Sequence, residues 1–162
     1  MVKLKKRTLR EIFENEQILP ATYDKDLKEY LNKYDNKKGY KFAGVIMKDE
    51  VKKLKINDKM FFIVNYDTTE QSGSHWVAIV KQGDKVYHFG SYGVPPLTQI
   101  KGRFSQYYIY YNDRPVQLPD TAICGHLCLA FIEFMVLEER KTFYEFISNC
   151  LEYSNRYKKD VS

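Results

Sequence analysis

An α+β fold, with a mixed β-sheet packed against one central buried helix, follows from three features of this sequence. The N-terminal third carries apolar residues at helical spacing, and from Gly39 onward short β-branched and aromatic runs alternate with turn signals. Near the C-terminus LCLAFIEFMVL is apolar on almost every side, and a helix with no polar stripe belongs in a core.

The elements can be placed in order. Thr8 followed three residues later by Glu11, then Ile12 and Phe13, is a capping-box pattern that opens a short helix ending before Pro20. TYDKDLKEYLNKYD places Leu27, Tyr30, Leu31 and Tyr34 on one helical face. YKFAGVIM, MFFIVNY, HWVAIV and KVYHFG read as strands, the last two a hairpin turning at Gly83-Asp84. SYGVPPLTQI reads as a loop, because adjacent prolines remove backbone donors and fix φ. QYYIYYN reads as a further strand. Asp120 or Thr121 can cap the apolar helix starting around Cys124, and Phe143, Phe146, Ile147 and Leu151 mark a last helix.

Residues 1–162 read as one domain, since 162 residues with 44% hydrophobic content bury one core and not two. No internal repeat or linker interrupts them. Three cysteines, at 124, 128 and 150, are too few and too odd in number for a disulfide framework. With no signal-peptide pattern they point to reduced thiols in an intracellular, non-secreted protein. Cys124 and Cys128 lie four apart, but no second ligand pair accompanies them, so no metal is expected. The richest apolar run is broken by Glu133, so no membrane partner is expected either, and the chain reads as a monomer. The net charge of +5 comes from lysines scattered through MVKLKKR, KKGYK, VKKLK and RYKK, which fits a solvated surface with weak nucleic-acid binding.

Chemistry concentrates around Cys124. It stands at the mouth of the apolar helix, where unpaired N–H groups and the peptide dipoles favour a thiolate, and Gly125 beside it leaves room for a ligand's backbone. A thiol peptidase needs a thiolate, an imidazole and a donor for the developing oxyanion, and Cys124, His75 and Gln117 supply one of each. His75 follows the small polar loop TEQSGS and precedes the chain's single tryptophan, Trp76. His126 points to another face of the helix than Cys124, and His88 lies inside a strand, so both read as structural.

FAGVIMKDE, FIVNYD, GSHWVAIV, VYHFGSYGVPP, YYNDRPVQ and DTAICGHLCLAFIEFM together resemble, in order and spacing, the adenovirus-type (adenain-like) cysteine proteases, in the flavour found in virophages and polinton-like viruses. The resemblance covers about residues 42–135. It implies a papain-like α+β fold, with His75 as base, Cys124 as nucleophile, and Gln117 with the Cys124 backbone N–H as oxyanion hole. It implies Trp76 and Gly125 in the substrate cleft. It also implies maturation cleavage of capsid or virion precursors at small or glycine-containing sites, in the virion and infected host cell.

Two departures stand out. Members usually carry an acid where this chain has Gly90; a carboxylate there orients the imidazole, and its absence leaves Asn65, Asp67, a backbone carbonyl or a water as replacements. No cysteine precedes Cys124, so a peptide activator tethered through such a cysteine is not expected, and no other cofactor is. The competing readings are a ubiquitin-like-protein (SUMO-type) protease with the same His-Trp, Gln and Cys-Gly elements, and a catalytically impaired scaffold of the same fold.

Overall fold

A computed structural model describes residues 9–14, 24–66, 75–116, 124–138 and 142–161. Two helices come first, α1 (Leu9–Glu14) and α2 (Asp24–Asn32). Strand β1 (Lys41–Met47), a 3₁₀ segment (Lys48–Lys53), β2 (Lys59–Asn65), β3 (Trp76–Gln82) and β4 (Lys85–Gly90) follow. Then come α3 (Thr98–Arg103), β5 (Tyr108–Tyr111), α4 (Cys124–Leu137) and α5 (Phe143–Val161).

The five strands form one mixed sheet in the order β1-β2-β3-β4-β5. Its centre is antiparallel and both outer pairs are parallel. The expected β3–β4 hairpin is present: Gln82 pairs with Lys85, and Gly83 takes φ 63°, left-handed backbone that glycine adopts without steric cost. Strand β1 carries a register shift between Phe42 and Val45, where Gly44 has φ 110°.

Alternation along β3 sends side chains to two cores. Trp76, Ala78 and Val80 join the cluster that holds α4, with Cys124, Leu127, Cys128, Phe131 and Ile132. Val77 and Ile79 face the second cluster, with Val64, Phe62, Ile100 and Phe104. Helix α4 is buried along most of its length, as its apolar sequence requires. It is held by rings: Phe131 stacks on Phe89 at 5.2 Å and meets Phe146 edge-on at 5.4 Å. Its one buried acid, Glu133, accepts a hydrogen bond from the Tyr30 hydroxyl of α2. Burial, and then that contact, push the Tyr30 phenol well above its ordinary pKa.

Thr98, Gln99 and Ile100, expected in a loop, begin helix α3 instead. The prolines end just before them, and Ile100 and Phe104 gain burial in the second core by turning helically, which outweighs weak local preference. The capping residues Thr8, Asp120 and Thr121 lie outside the described residues. Among the described residues no helix is long and apolar enough to cross a membrane, and no group of three or more His, Cys, Asp or Glu could hold a metal ion.

Candidate active site

Cys124 is the first residue of α4 and is 8% exposed. The backbone at Trp76, the residue after His75, at Gly125 and at Cys124 itself favours its charged form. One turn on, the Cys128 thiol donates to the Trp76 carbonyl at 3.5 Å. The start of the helix is thus laid against the start of β3, which brings Cys124 near Trp76, the neighbour of His75, although 49 positions separate Cys124 from His75. Gly125 is buried in the same helical turn.

A place at a helix start predicts a depressed thiol pKa. Burial instead raises it, and the backbone at Trp76, Gly125 and Cys124 only partly offsets that. The reason is that the charged form is almost cut off from water, while the helix start is only one of the fields acting on the sulfur. Cys128 and Cys150, more deeply buried, are pushed up further still.

His75 is buried, and desolvation lowers its pKa to about 4. The described residues give neither ring nitrogen a hydrogen-bond partner. What holds the ring is aromatic: Tyr92 stacks on it at 4.0 Å with 20° between planes, and Tyr66 meets it at 4.9 Å and 69°. Both tyrosines were missed in the sequence. The signal available was weak, Tyr66 following Asn65 at the end of a strand and Tyr92 following Ser91 in a turn.

Asn65 is fully buried at the end of β2 and lies directly across from Trp76. Cross-strand partners share a face, so its side chain accompanies Trp76, and the next residue, Tyr66, is the one that packs on the His75 ring. Tyr66 also donates its backbone N–H to the His75 carbonyl at 3.0 Å, which extends the β2–β3 ladder by one step. Gly90 ends β4 opposite Val77. A Cβ there would stand 3.1 Å from Val77 Cγ1, 3.6 Å from His88 Cε1 and 3.9 Å from the Tyr66 hydroxyl. A side chain there would press on Val77 and meet His88 and Tyr66 at ordinary contact distance. His88, expected to be structural, is fully buried beside that position. Gln117 and Asp67 lie outside the described residues; Val116, just before Gln117, donates to the Ser91 carbonyl at 2.8 Å.

Beside Trp76 opens a cleft of about 350 Å³, walled by Lys28, Gly44, Met47 and Glu50 among others.

No protein-family model matches this chain, and no curated protein does. Solved structures do. The ASFV pS273R protease superposes with a TM-score of 0.50 at 18% identity, covering 83% of this chain and 64% of that one. The SUMO protease Ulp1 with its catalytic cysteine oxidised to a sulfinic acid gives a TM-score of 0.48 at 12% identity, over 93% of this chain and 83% of that one. This chain thus spans just under two thirds of the ASFV enzyme's length. The five-stranded mixed sheet with α4 across it is accordingly the α+β fold expected from the sequence, shared with the ASFV pS273R protease.

Proposed function

We propose that this protein is a cysteine endopeptidase in which Cys124 is the nucleophile, His75 the base, and the Cys124 backbone N–H with the Gln117 amide the oxyanion hole. The observation that carries this reading is the first turn of α4, which opens at Cys124, laid against the Trp76 backbone one residue from His75, in a fold shared with the ASFV pS273R protease. The depressed imidazole and the raised thiol make both groups neutral at rest near pH 7. The thiol proton therefore moves to His75 as sulfur attacks the peptide carbonyl carbon. The carbonyl oxygen becomes an oxyanion facing the two donors. Collapse expels the amine, which takes the proton from His75 and leaves a thioester on Cys124. Water, deprotonated by His75, then hydrolyses the thioester and frees the thiol.

The substrates we infer are capsid or virion precursor polypeptides, cut at small or glycine-containing sites that fit beside Trp76. Cleavage takes place in the virion or infected cell. A peptide library combined with SUMO conjugates tests this: cleavage of Gly-containing precursor peptides supports it, and cleavage confined to SUMO conjugates selects the ubiquitin-like-protein reading. Cys124→Ala and His75→Ala are each expected to lower kcat/KM by on the order of 10⁴-fold, because members of a catalytic unit fail together. Gln117→Ala should lower kcat by about 100-fold with little change in KM. Full cleavage by Cys124→Ala would refute the nucleophile assignment.

A further inference from the structure

We infer that Asn112 is a positioning residue: by clamping Gly90 it fixes the turn that lays Tyr92 on the His75 ring, the task an acid at position 90 would otherwise perform. The inference rests on the proposed role of His75 as base.

Strand β5 ends at Tyr111, whose ladder partner in β4 is His88. Beyond that last pair the Asn112 side chain continues the pattern. Its Oδ1 accepts from the Gly90 N–H at 3.1 Å, and its Nδ2 donates to the Gly90 carbonyl at 2.6 Å and to the Arg114 carbonyl at 3.3 Å. A primary amide has one acceptor and two donor hydrogens, so it serves both polar groups of one residue as a peptide of a neighbouring strand would. Asn112 is 4% exposed, so these bonds compete little with water.

The residues after Gly90 are latched in turn. Gly93 donates to the Gly90 carbonyl at 3.0 Å, closing a tight turn over 90–93. Gly93 has φ 67°, and a Cβ on it would fall 2.3 Å from the Arg114 carbonyl carbon, so only glycine allows this approach. Val116 ties down Ser91 from the far side. Tyr92 is the residue this latched turn presents, and its ring lies flat on His75 at 4.0 Å. Burial is the whole cause of the His75 shift, and no acid among the described residues contributes to it. Among the described residues it is packing that orients the ring, and the packing depends on where the turn sits. Asn112, on another strand, decides that.

The test uses the whole chain in four variants, Asn112→Ala, Asn112→Asp, Tyr92→Leu and Tyr92→Phe, with His75→Ala as reference. Cleavage of an acyl-Gly-Gly-aminocoumarin peptide reports kcat and KM, and ¹⁵N NMR of the imidazoles reports whether His75 holds one tautomer. Asn112→Ala and Tyr92→Leu are expected to lower kcat by on the order of 10- to 100-fold with KM nearly unchanged, as misplacement of a catalytic group does. Both should also average the His75 ring signals. Asn112→Asp, which accepts but cannot donate to the Gly90 carbonyl, should resemble Asn112→Ala. Tyr92→Phe keeps the stacked ring and should restore both readouts. If Asn112→Ala does not fold, Tyr92→Leu at its half-buried turn still decides the ring's role, and Asn112→Asp the clamp's. Parent-like kcat and a single His75 tautomer in folded Tyr92→Leu or Asn112→Asp would overturn the inference. If His75→Ala itself cleaves normally, the catalytic reading fails, while the NMR readout still decides whether Asn112 and Tyr92 hold the ring.

Discussion

At Cys124 two effects of opposite sign act on one sulfur. Backbone donors at Trp76, Gly125 and Cys124 favour the thiolate, and burial at 8% exposure opposes it more strongly. Alkylation of Cys124 by iodoacetamide, followed by mass spectrometry, should therefore keep rising above about pH 8.5, where a free cysteine is half ionised. A plateau reached below neutrality would show a resting thiolate–imidazolium pair and contradict this balance. His88 offers a second test. It is fully buried, and desolvation, the largest cause, lowers its pKa to about 4, with its own backbone opposing the shift and His75 adding to it. Its folded pKa lies below its unfolded value, so the unfolded chain binds more protons between about pH 6.5 and 4, and stability is lost as pH falls through that window. The loss from this residue reaches about 3 kcal/mol at the lower end. His88→Phe keeps a planar ring without the buried imidazole, and urea midpoints at pH 7, 5.5 and 4.5 should show a flatter acid slope than the parent's. An unchanged slope would assign the acid sensitivity elsewhere.

Helix α4 illustrates how an element does two jobs. Its first turn carries the thiol, and its middle is fixed by rings so that the first turn cannot drift. Phe131 is fully buried and touches Phe89, Phe143 and Phe146. Phe131→Ala should cost about 3–5 kcal/mol, as large-to-small core changes do, read from chemical denaturation. A cost below about 1 kcal/mol would mean that the neighbouring rings collapse into the space. The element was legible beforehand, because an all-round apolar helix has only one place to go. Helix α3 was not, because its six residues carry a pair of prolines just upstream, and only the burial of Ile100 and Phe104 reveals why the chain turns there.

Across the whole molecule the scattered lysines give a net +5, and exposed Lys37, Lys38, Lys52 and Lys53 lie on short segments at the sheet's margin. Weak association with DNA is expected, weakening by about tenfold or more between about 50 and 200 mM salt as condensed counterions cease to be released. Fluorescence anisotropy with a labelled duplex measures it; no binding at the lower salt would reduce these lysines to solvated surface. At this scale sequence and structure divide the information cleanly. Periodicity is local, so the sequence by itself determined which segments are strands, that Gly83-Asp84 turns a hairpin, and that Cys124 opens a buried helix. Proximity and burial are not local. Only the tertiary structure decided that the start of α4 lies against Trp76 beside His75, that Tyr66 and Tyr92 hold the imidazole, and that Val77, His88 and Tyr66 border the position of Gly90. The sign of the Cys124 shift belongs to the same class, since desolvation depends on every segment that covers the sulfur, and no spacing along the chain records that.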